Sequence, residues 1–239
     1  ENAHSFPTYG TAISQGNGTY KFRYECSTCG YAKTLSDPKP GDIGPAGGIV
    51  FYDKGEYSDG WRFLEAAPND LRVVDDKPTV DSTLPGYKDA PYLFVFGHNR
   101  ETSNGTNLYV NGSTTYNTED CTKSDIGAGT NNTKILVSAM GTTAYTASSG
   151  ITKTSRYAAK LCADLKYNGY NDWFLPSDAE LIEMYNMYRD TRRGSFGNRY
   201  WSSSEYSGNI EKAWNQSFDL GNGIHTRSDG LRVRPVRAF

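Results

Sequence analysis

The chain is poor in cysteine, in net charge of either sign and in long apolar runs, and each scarcity excludes something. Four cysteines, Cys26, Cys29, Cys121 and Cys162, are too few to staple a fold of 239 residues. Lys and Arg total 25 against 27 Asp and Glu, a formal net charge of −2, so no global field draws the protein to nucleic acid or an anionic membrane. The longest apolar runs, Gly48-Ile49-Val50-Phe51-Tyr52 and Tyr92-Leu93-Phe94-Val95-Phe96, are strand-sized. They fall far short of the roughly 20 residues a spanning helix needs. The polar start Glu1-Asn2-Ala3-His4 is no signal peptide, as in a mature secreted protein or a trimmed chain. Gly127-Ala128-Gly129-Thr130 lacks the further Gly and Lys of a phosphate loop. His98 and His225 have no His, Glu or Cys at ligand spacing, which speaks against a metal or general-base role. Asp120 and Asp125 sit in a polar loop without EF-hand spacing, and calcium there is left open.

What is present is aromatic and rich in turns. Aromatics make up 13% of residues, enough to build a core and to exclude general disorder. Gly at 25 and Pro at 10 beside 36% hydrophobic residues read as much loop and little long helix. The length suits one large domain, or one domain with an appendage.

Residues 1–40 read as a small N-terminal β appendage and linker. Tyr20 to Glu25 alternates aromatic and charged residues, a strand signal. Cys26-Ser27-Thr28-Cys29-Gly30 is a tight turn, and Ser36-Asp37-Pro38-Lys39-Pro40-Gly41 is a linker. The two cysteines are half of a zinc ribbon, with His4 as a third ligand and the fourth missing, or a vestigial knuckle or local disulfide. The second reading is favoured, and no metal or cofactor is expected.

From residue 41 to 239 the pattern is that of a single domain. Ile49–Tyr52 and Trp61–Ala66 form a hairpin around a turn over Lys54–Gly60, and Tyr92–Phe96 is a short strand. Residues 98–134 form a long polar loop. Helices are predicted over 134–140, opened by Asn131-Asn132-Thr133, and over 154–166, with an apolar stripe at 158, 161, 162 and 165. Another opens at the capping box Ser177-Asp178-Ala179-Glu180, with the stripe Leu181, Met184, Tyr185, Tyr188. Strands follow at Tyr200–Ser204, Lys212–Phe218 and Leu231–Arg237, joined by Gly- and Asp-rich turns. The order implies an α+β domain with one curled antiparallel sheet whose first strand pairs with its last. The arginines 227, 232, 234 and 237 alternate with apolar residues, which reads as a strand and not as a phosphate-binding arm. Cys162 on an apolar stripe is a buried thiol, and Cys121 is a candidate disulfide partner for it.

Three stretches carry a resemblance. They are Gly47–Tyr52 with Gly60–Ala66, then Gly169-Tyr170-Asn171-Asp172-Trp173-Phe174-Leu175-Pro176-Ser177 to Leu181, and Tyr200–Glu205 with Val233–Arg237. Over residues 41–239 the chain resembles the bacterial C-type-lectin-fold surface domains of the Legionella collagen-like protein C-terminal family. It also looks like variable proteins diversified by retroelements, such as Treponema variable protein. The resemblance implies a C-type lectin fold of the formylglycine-generating-enzyme-like variant. It implies a bacterial cell-surface location, with lipid anchoring through a preceding segment left open. In the diversified members the C-terminal strands and turns form a variable ligand-binding surface. Their variable codons end in C and exclude Trp, Gln, Glu, Lys and Met. Residues 206–210 and 219–231 contain none of these five, whereas Trp201, Glu205, Glu211, Lys212, Trp214 and Gln216 flank them.

The site expected from that resemblance comprises Tyr206, Ser207, Gly208, Asn209, Asp219, Leu220, Asn222, Ile224, His225, Thr226, Ser228 and Asp229, converging on one exposed face. The ordinary alternative is a solvated hairpin end. Trp61, Trp173 and Trp201 are read as core, and Trp214 as core or as the floor of the surface. The expected activity is non-enzymatic binding of a protein or glycan by a monomer, within a variable region of about 206–230. Alternatives are a structural surface domain without a specific ligand, or a formylglycine-generating-type enzyme. That enzyme class uses a reactive Cys pair late in the chain, and here no cysteine follows Cys162.

Overall fold

Alternation of apolar and polar side chains builds short strands. The structure, a computed structural model that describes residues 4–7, 9–15, 20–35 and 37–239, arranges them in several small antiparallel sheets. Residues 1–3, which carried the reading of the chain start, and Ser36 of the linker lie outside the described residues. The architecture is α+β, with three α-helices among the described residues and no sheet closed on itself.

Strands β1 (Thr11–Ser14), β2 (Tyr20–Glu25) and β3 (Ala32–Leu35) form the N-terminal sheet. Phe22 and Tyr24 on one face of β2 are buried, and their charged neighbours Lys21, Arg23 and Glu25 are exposed. The buried pair packs on Val50 and Phe63 of the next two strands, β4 (Ile49–Ser58) and β5 (Trp61–Ala66). Asp42 fastens the join. Its carboxylate accepts from Gly10 N at 2.6 Å, the Tyr24 hydroxyl at 2.7 Å and Lys39 N at 2.9 Å. The β4–β5 hairpin turns at Asp59-Gly60, so β4 runs further than its apolar residues 49–52 announced.

The chain continues through β6 (Arg72–Val74), β7 (Lys77–Thr79), one turn of 3-10 helix at Tyr87–Asp89, β8 (Asn99–Arg100) and β9 (Asn107–Leu108). Then come α1 (Gly129–Met140), β10 (Ala144–Tyr145), β11 (Lys153–Thr154), α2 (Ala158–Asp164) and α3 (Asp178–Thr191). Strands β12 (Arg199–Glu205), β13 (Lys212–Ser217), β14 (Gly221–Thr226) and β15 (Val236–Ala238) close it. The larger core lies between β12–β13 and helices α1 and α2, and includes Leu136, Leu161, Leu165, Trp173 and Trp201. A second core packs α3 through Leu181, Met184 and Met187 on Leu64, Tyr200 and Val236.

The structure amends several expectations. The single curled sheet is replaced by separate sheets, of which the two central ones have the orders β12-β13-β14 and β15-β5-β4. The last strand pairs with β5 and not with β4, Val236 opposite Ala66. Strand β14 replaces an expected turn. Gly221-Asn222-Gly223 has poor strand propensity, yet six consecutive register pairs with β13 override it. Phe94 and Val95 form isolated bridges to Leu231 and Tyr157 in place of a strand. Val95 also holds Tyr157 extended, so α2 starts at Ala158, later than expected. Its stripe at 158, 161, 162 and 165 is buried as read. Helix α1 starts earlier, at Gly129. The capping box at Ser177 forms with both of its bonds. All four cysteines are free, so neither a Cys26–Cys29 nor a Cys121–Cys162 disulfide exists; Cys121 and Cys162 are each buried as separate thiols.

Candidate recognition surface

The site is built on the β12-β13-β14 sheet. In an antiparallel pair, opposed residues share a face. Lys212–Thr226, Trp214–Ile224 and Gln216–Asn222 therefore lie on one face, and Ala213–His225 and Asn215–Gly223 on the other. The second face enters the large core through Ala213, which is fully buried. The first face is covered at one end by α3. There Asn222 Nδ2 donates to the Asp178 carboxylate at 3.0 Å, and burial pushes that acid up to about 6. Two residues further along, Trp214 and Ile224 are half-buried, and Tyr206 stands edge-on to Trp214 with ring centroids 5.2 Å apart. Trp214 is thus half-buried against Tyr206 and belongs to none of the buried core clusters.

None of the twelve predicted site residues is buried in the core. The structure divides them, however. Tyr206, Ser207, Gly208 and Asn209 form the β12–β13 turn, and Thr226 ends β14 with Ser228 and Asp229 following it at the same end of the sheet. His225 Nδ1 lies 2.9 Å from the Asp229 carboxylate there. Asp219 and Leu220 occupy the β13–β14 turn at the opposite end, about 20 Å away for a six-residue strand. The expected single face is corrected accordingly. Tyr206–Asn209, Ile224, Thr226, Ser228 and Asp229 gather at one end, His225 faces the other side of β14, and Asp219, Leu220 and Asn222 lie apart. The length of β13 and β14 separates the two ends, and period-two alternation turns His225 to the other face.

Beneath the gathered end lies a frame that sequence reading missed. Glu205 and Arg227, both essentially buried, pair at 3.0 Å. Glu205 also accepts from Val110 N at 3.2 Å, and its own N–H donates to the Thr122 hydroxyl at 2.7 Å. Asn107 Nδ2 donates to Glu211 at 2.5 Å, and the Tyr109 hydroxyl reaches the carbonyls of Tyr206 and Ser207. The long loop thus fastens the β12–β13 turn from below. His98 is buried nearby, and neither ring nitrogen has a hydrogen-bond partner among the described residues. Burial, and next the Arg227 charge, lower it to about 4, so it is neutral at physiological pH.

The C-terminal arginines belong to the same kind of frame. Asp70 accepts from Arg232 at 2.8 Å, Arg234 at 2.7 Å and the Tyr200 hydroxyl at 2.8 Å. Arg237 bridges Asp172 at 3.0 Å and Glu65 at 3.5 Å. Glu65 in turn accepts from Ala46 N and Gly48 N. A Cβ on Gly48 would lie 2.0 Å from the Ala66 carbonyl, so this glycine permits the loop to close on β5. Arg234 is fully buried and Arg227 and Arg237 nearly so, but the expected strand over Leu231–Arg237 is cut short: only Arg237 lies in a strand, Arg227 is in the turn after β14, Arg232 makes an isolated bridge to Tyr200, and Arg234 precedes β15 beside Pro235, which has no N–H to pair. Trp201 is fully buried and donates from Nε1 to Phe94 O at 2.8 Å, and Trp173 is likewise core. Trp61 differs: it is partly exposed, with the Lys54 ammonium 4.1 Å from its ring centroid.

The chain is therefore an α+β protein whose C-terminal sheet holds exposed turns over buried ion pairs. Residues 130–237 match the Lcl C-terminal domain family, a match that takes in the whole predicted site and fits a bacterial surface-associated protein. Among curated proteins none matches the chain. No helix of the described residues is long and apolar enough to cross a membrane.

Proposed function

We propose that the chain is a ligand-binding protein of the bacterial cell surface, with a C-type lectin fold, whose recognition surface is the gathered end of the β12-β13-β14 sheet. The observation that carries this reading is the contrast in depth. Tyr206, Asn209, Ile224 and Ser228 are exposed or half-buried, and Glu205, Arg227, Ala213 and Trp201 directly beneath are locked. A rigid frame under variable tips is the usual arrangement for recognition. The Tyr206–Trp214 pair supplies apolar contact area, and the Asn, Ser and Asp side chains supply hydrogen bonds, a mixture suited to a protein or glycan ligand. We also infer that residues of about 206–230 are diversified by a retroelement, on the absence of the five excluded residue types from 206–210 and 219–231. The protein acts as a monomer without chemistry of its own. Cys162, the last cysteine, has its thiol pushed well up by complete burial and is no nucleophile.

The test is to replace Tyr206, Asn209, Ile224 and Ser228 together and to screen wild type and variant on protein and glycan arrays. Binding should change while the melting midpoint moves little, at about 0.5 kcal/mol or less per surface site. Unfolding of the variant, or a binding profile unchanged from wild type, would refute the assignment. A neighbouring reverse-transcriptase gene with an adenine-biased near-repeat of the 3′ end tests diversification separately.

A further inference from the structure

The strongest unexplained cluster lies far from this surface, at the CxxC turn. Strand β2 ends at Glu25, and Cys26 N–H donates to the Tyr31 carbonyl at 2.8 Å as the chain reverses. Gly30 N–H donates back to the Cys26 carbonyl at 2.9 Å. Gly30 sits at φ 72°, left-handed backbone that glycine adopts without strain, so this tight reversal can form. The turn sets both cysteine side chains on one side. The segment before β1 then brings in a third group. The His4 ring stacks on Tyr31 with centroids 4.5 Å apart and planes 16° apart, and its Nδ1 lies 3.1 Å from Cys29 Sγ. The ligand atoms of His4, Cys26 and Cys29 all lie within 4.8 Å of one another.

We propose that His4, Cys26 and Cys29 bind one zinc ion, with the fourth tetrahedral position left to water. Two thiolates and an imidazole are the donor set zinc prefers. Around tetrahedral zinc with Zn–S of about 2.3 Å, neighbouring sulfurs stand roughly 3.8 Å apart, so the observed spacing needs only a small contraction. The two thiols give their protons to solvent on binding, and two thiolate charges then cancel the ion's. The turn is prepared for this. The backbone bonds Cys26 N–H to Tyr31 O and Gly30 N–H to Cys26 O fix the turn with Cys26 and Cys29 Sγ already within reach of one ion. The sequence already offered His4 as a third ligand, and the fold places it beside the two cysteines; the fourth protein ligand stays absent, so that position falls to water.

The site also answers a physical need. The N-terminal sheet buries few side chains, chiefly Phe22, Tyr24 and the adjoining Cys26. A sheet this small gains from a staple. Zinc ties residues 4–7 to the β2–β3 turn, 25 residues apart at His4 and Cys29, and so acts as the missing core. The role is structural and independent of the recognition surface.

The experiment uses the intact chain, reduced and stripped with chelator, then titrated with Zn(II) and separately with Co(II). One metal per chain is expected by elemental analysis. Cobalt should give thiolate charge-transfer and tetrahedral ligand-field bands. Zinc should protect the exposed Cys29 from alkylation. Cys26→Ser and Cys29→Ser should abolish stoichiometric uptake. His4→Ala, at an exposed position, should weaken it by at least about 10-fold with the rest of the fold intact. No uptake by the reduced chain, cobalt bands without thiolate character, uptake indifferent to Cys29→Ser or His4→Ala, or alkylation of Cys29 at the same rate with and without zinc would each overturn the proposal. A Cys26–Cys29 disulfide that persists in the isolated protein and, once reduced, binds no metal would also do so.

Discussion

Glu180 offers the sharpest test of how the frame is held. Its side chain reaches from the third residue of α3 to the start of α1. One oxygen accepts from Gly127 N at 2.9 Å and, more weakly, from Gly129 N at 3.4 Å; the other accepts from Ser177 N at 2.7 Å. The residue is fully buried, and burial outweighs the three bonds to push its carboxyl from 4.5 up to about 7. In Glu180→Gln one acceptor oxygen is replaced by an amide NH2. With the remaining oxygen turned toward Gly127 and Gly129, the Ser177 N–H faces a second donor and goes unmet. A buried unmet donor costs about 1–3 kcal/mol. A protonated Glu180 avoids this, because its hydroxyl oxygen still accepts. The pH dependence has a definite sign. A carboxyl whose native pKa is raised binds its proton more tightly when folded. Its stabilisation is complete below about 4.5 and is lost as pH rises through about 7, roughly 3 kcal/mol in all at about 1.4 kcal/mol per unit. Urea unfolding of wild type and Glu180→Gln should therefore show the variant weaker by about 1–3 kcal/mol near pH 4.5, with the gap closing or reversing by about pH 8. Asp178 titrates in both proteins, so to first order it drops out of the difference. A gap that stays constant or widens with pH would mean that Glu180 is ionised throughout, and the burial argument would fall.

Two further outcomes follow from the same frame. Asp70→Asn removes the charge that pairs Arg232 and Arg234. Because Arg234 is wholly buried, urea unfolding should show a loss of about 3–5 kcal/mol, and a loss below about 1 kcal/mol would refute the pairing. Ser177→Ala leaves Glu180 N–H without its 3.2 Å acceptor and should cost about 1 kcal/mol in thermal unfolding while ligand binding is retained; binding lost at an unchanged melt would place α3 in the recognition surface.

The parts legible in the sequence were those encoded locally. The capping box at Ser177 needs four consecutive residues, and the α2 stripe at 158, 161, 162 and 165 needs eight. Both formed as read. The exposure of Ser207–Asn209, Asp219 and Leu220 was legible from their turn chemistry. Three features were not. Strand β14 lacks its own signal, since Gly221 to Gly223 take strand geometry only from β13. The partition of the site into two ends depends on where that strand begins. The anchoring acids Asp70 and Glu205 carry no local mark, because each acquires its meaning from an arginine brought near by folding. Glu65 gave the one available clue, a carboxylate inside an otherwise apolar strand end, Phe63-Leu64-Glu65-Ala66. Buried charges are rarely tolerated unless paired, so such a residue points to a cation elsewhere in the chain.

The long span of these ion pairs also governs how the molecule comes together in time. Asp70 meets Arg232 across 162 residues, and Glu65 meets Arg237 across 172. Strands β12, β13 and β14, by contrast, are sequence neighbours whose turns close over short distances. Short closures form quickly and distant ones slowly, because a large loop must be ordered before its contacts reward it. The slow step is therefore expected in the closure of the frame, and the exposed tips lie on short-range turns outside the long-range ion pairs. Exchanging tip side chains should therefore leave the refolding rate nearly unchanged, whereas Asp70→Asn should change it.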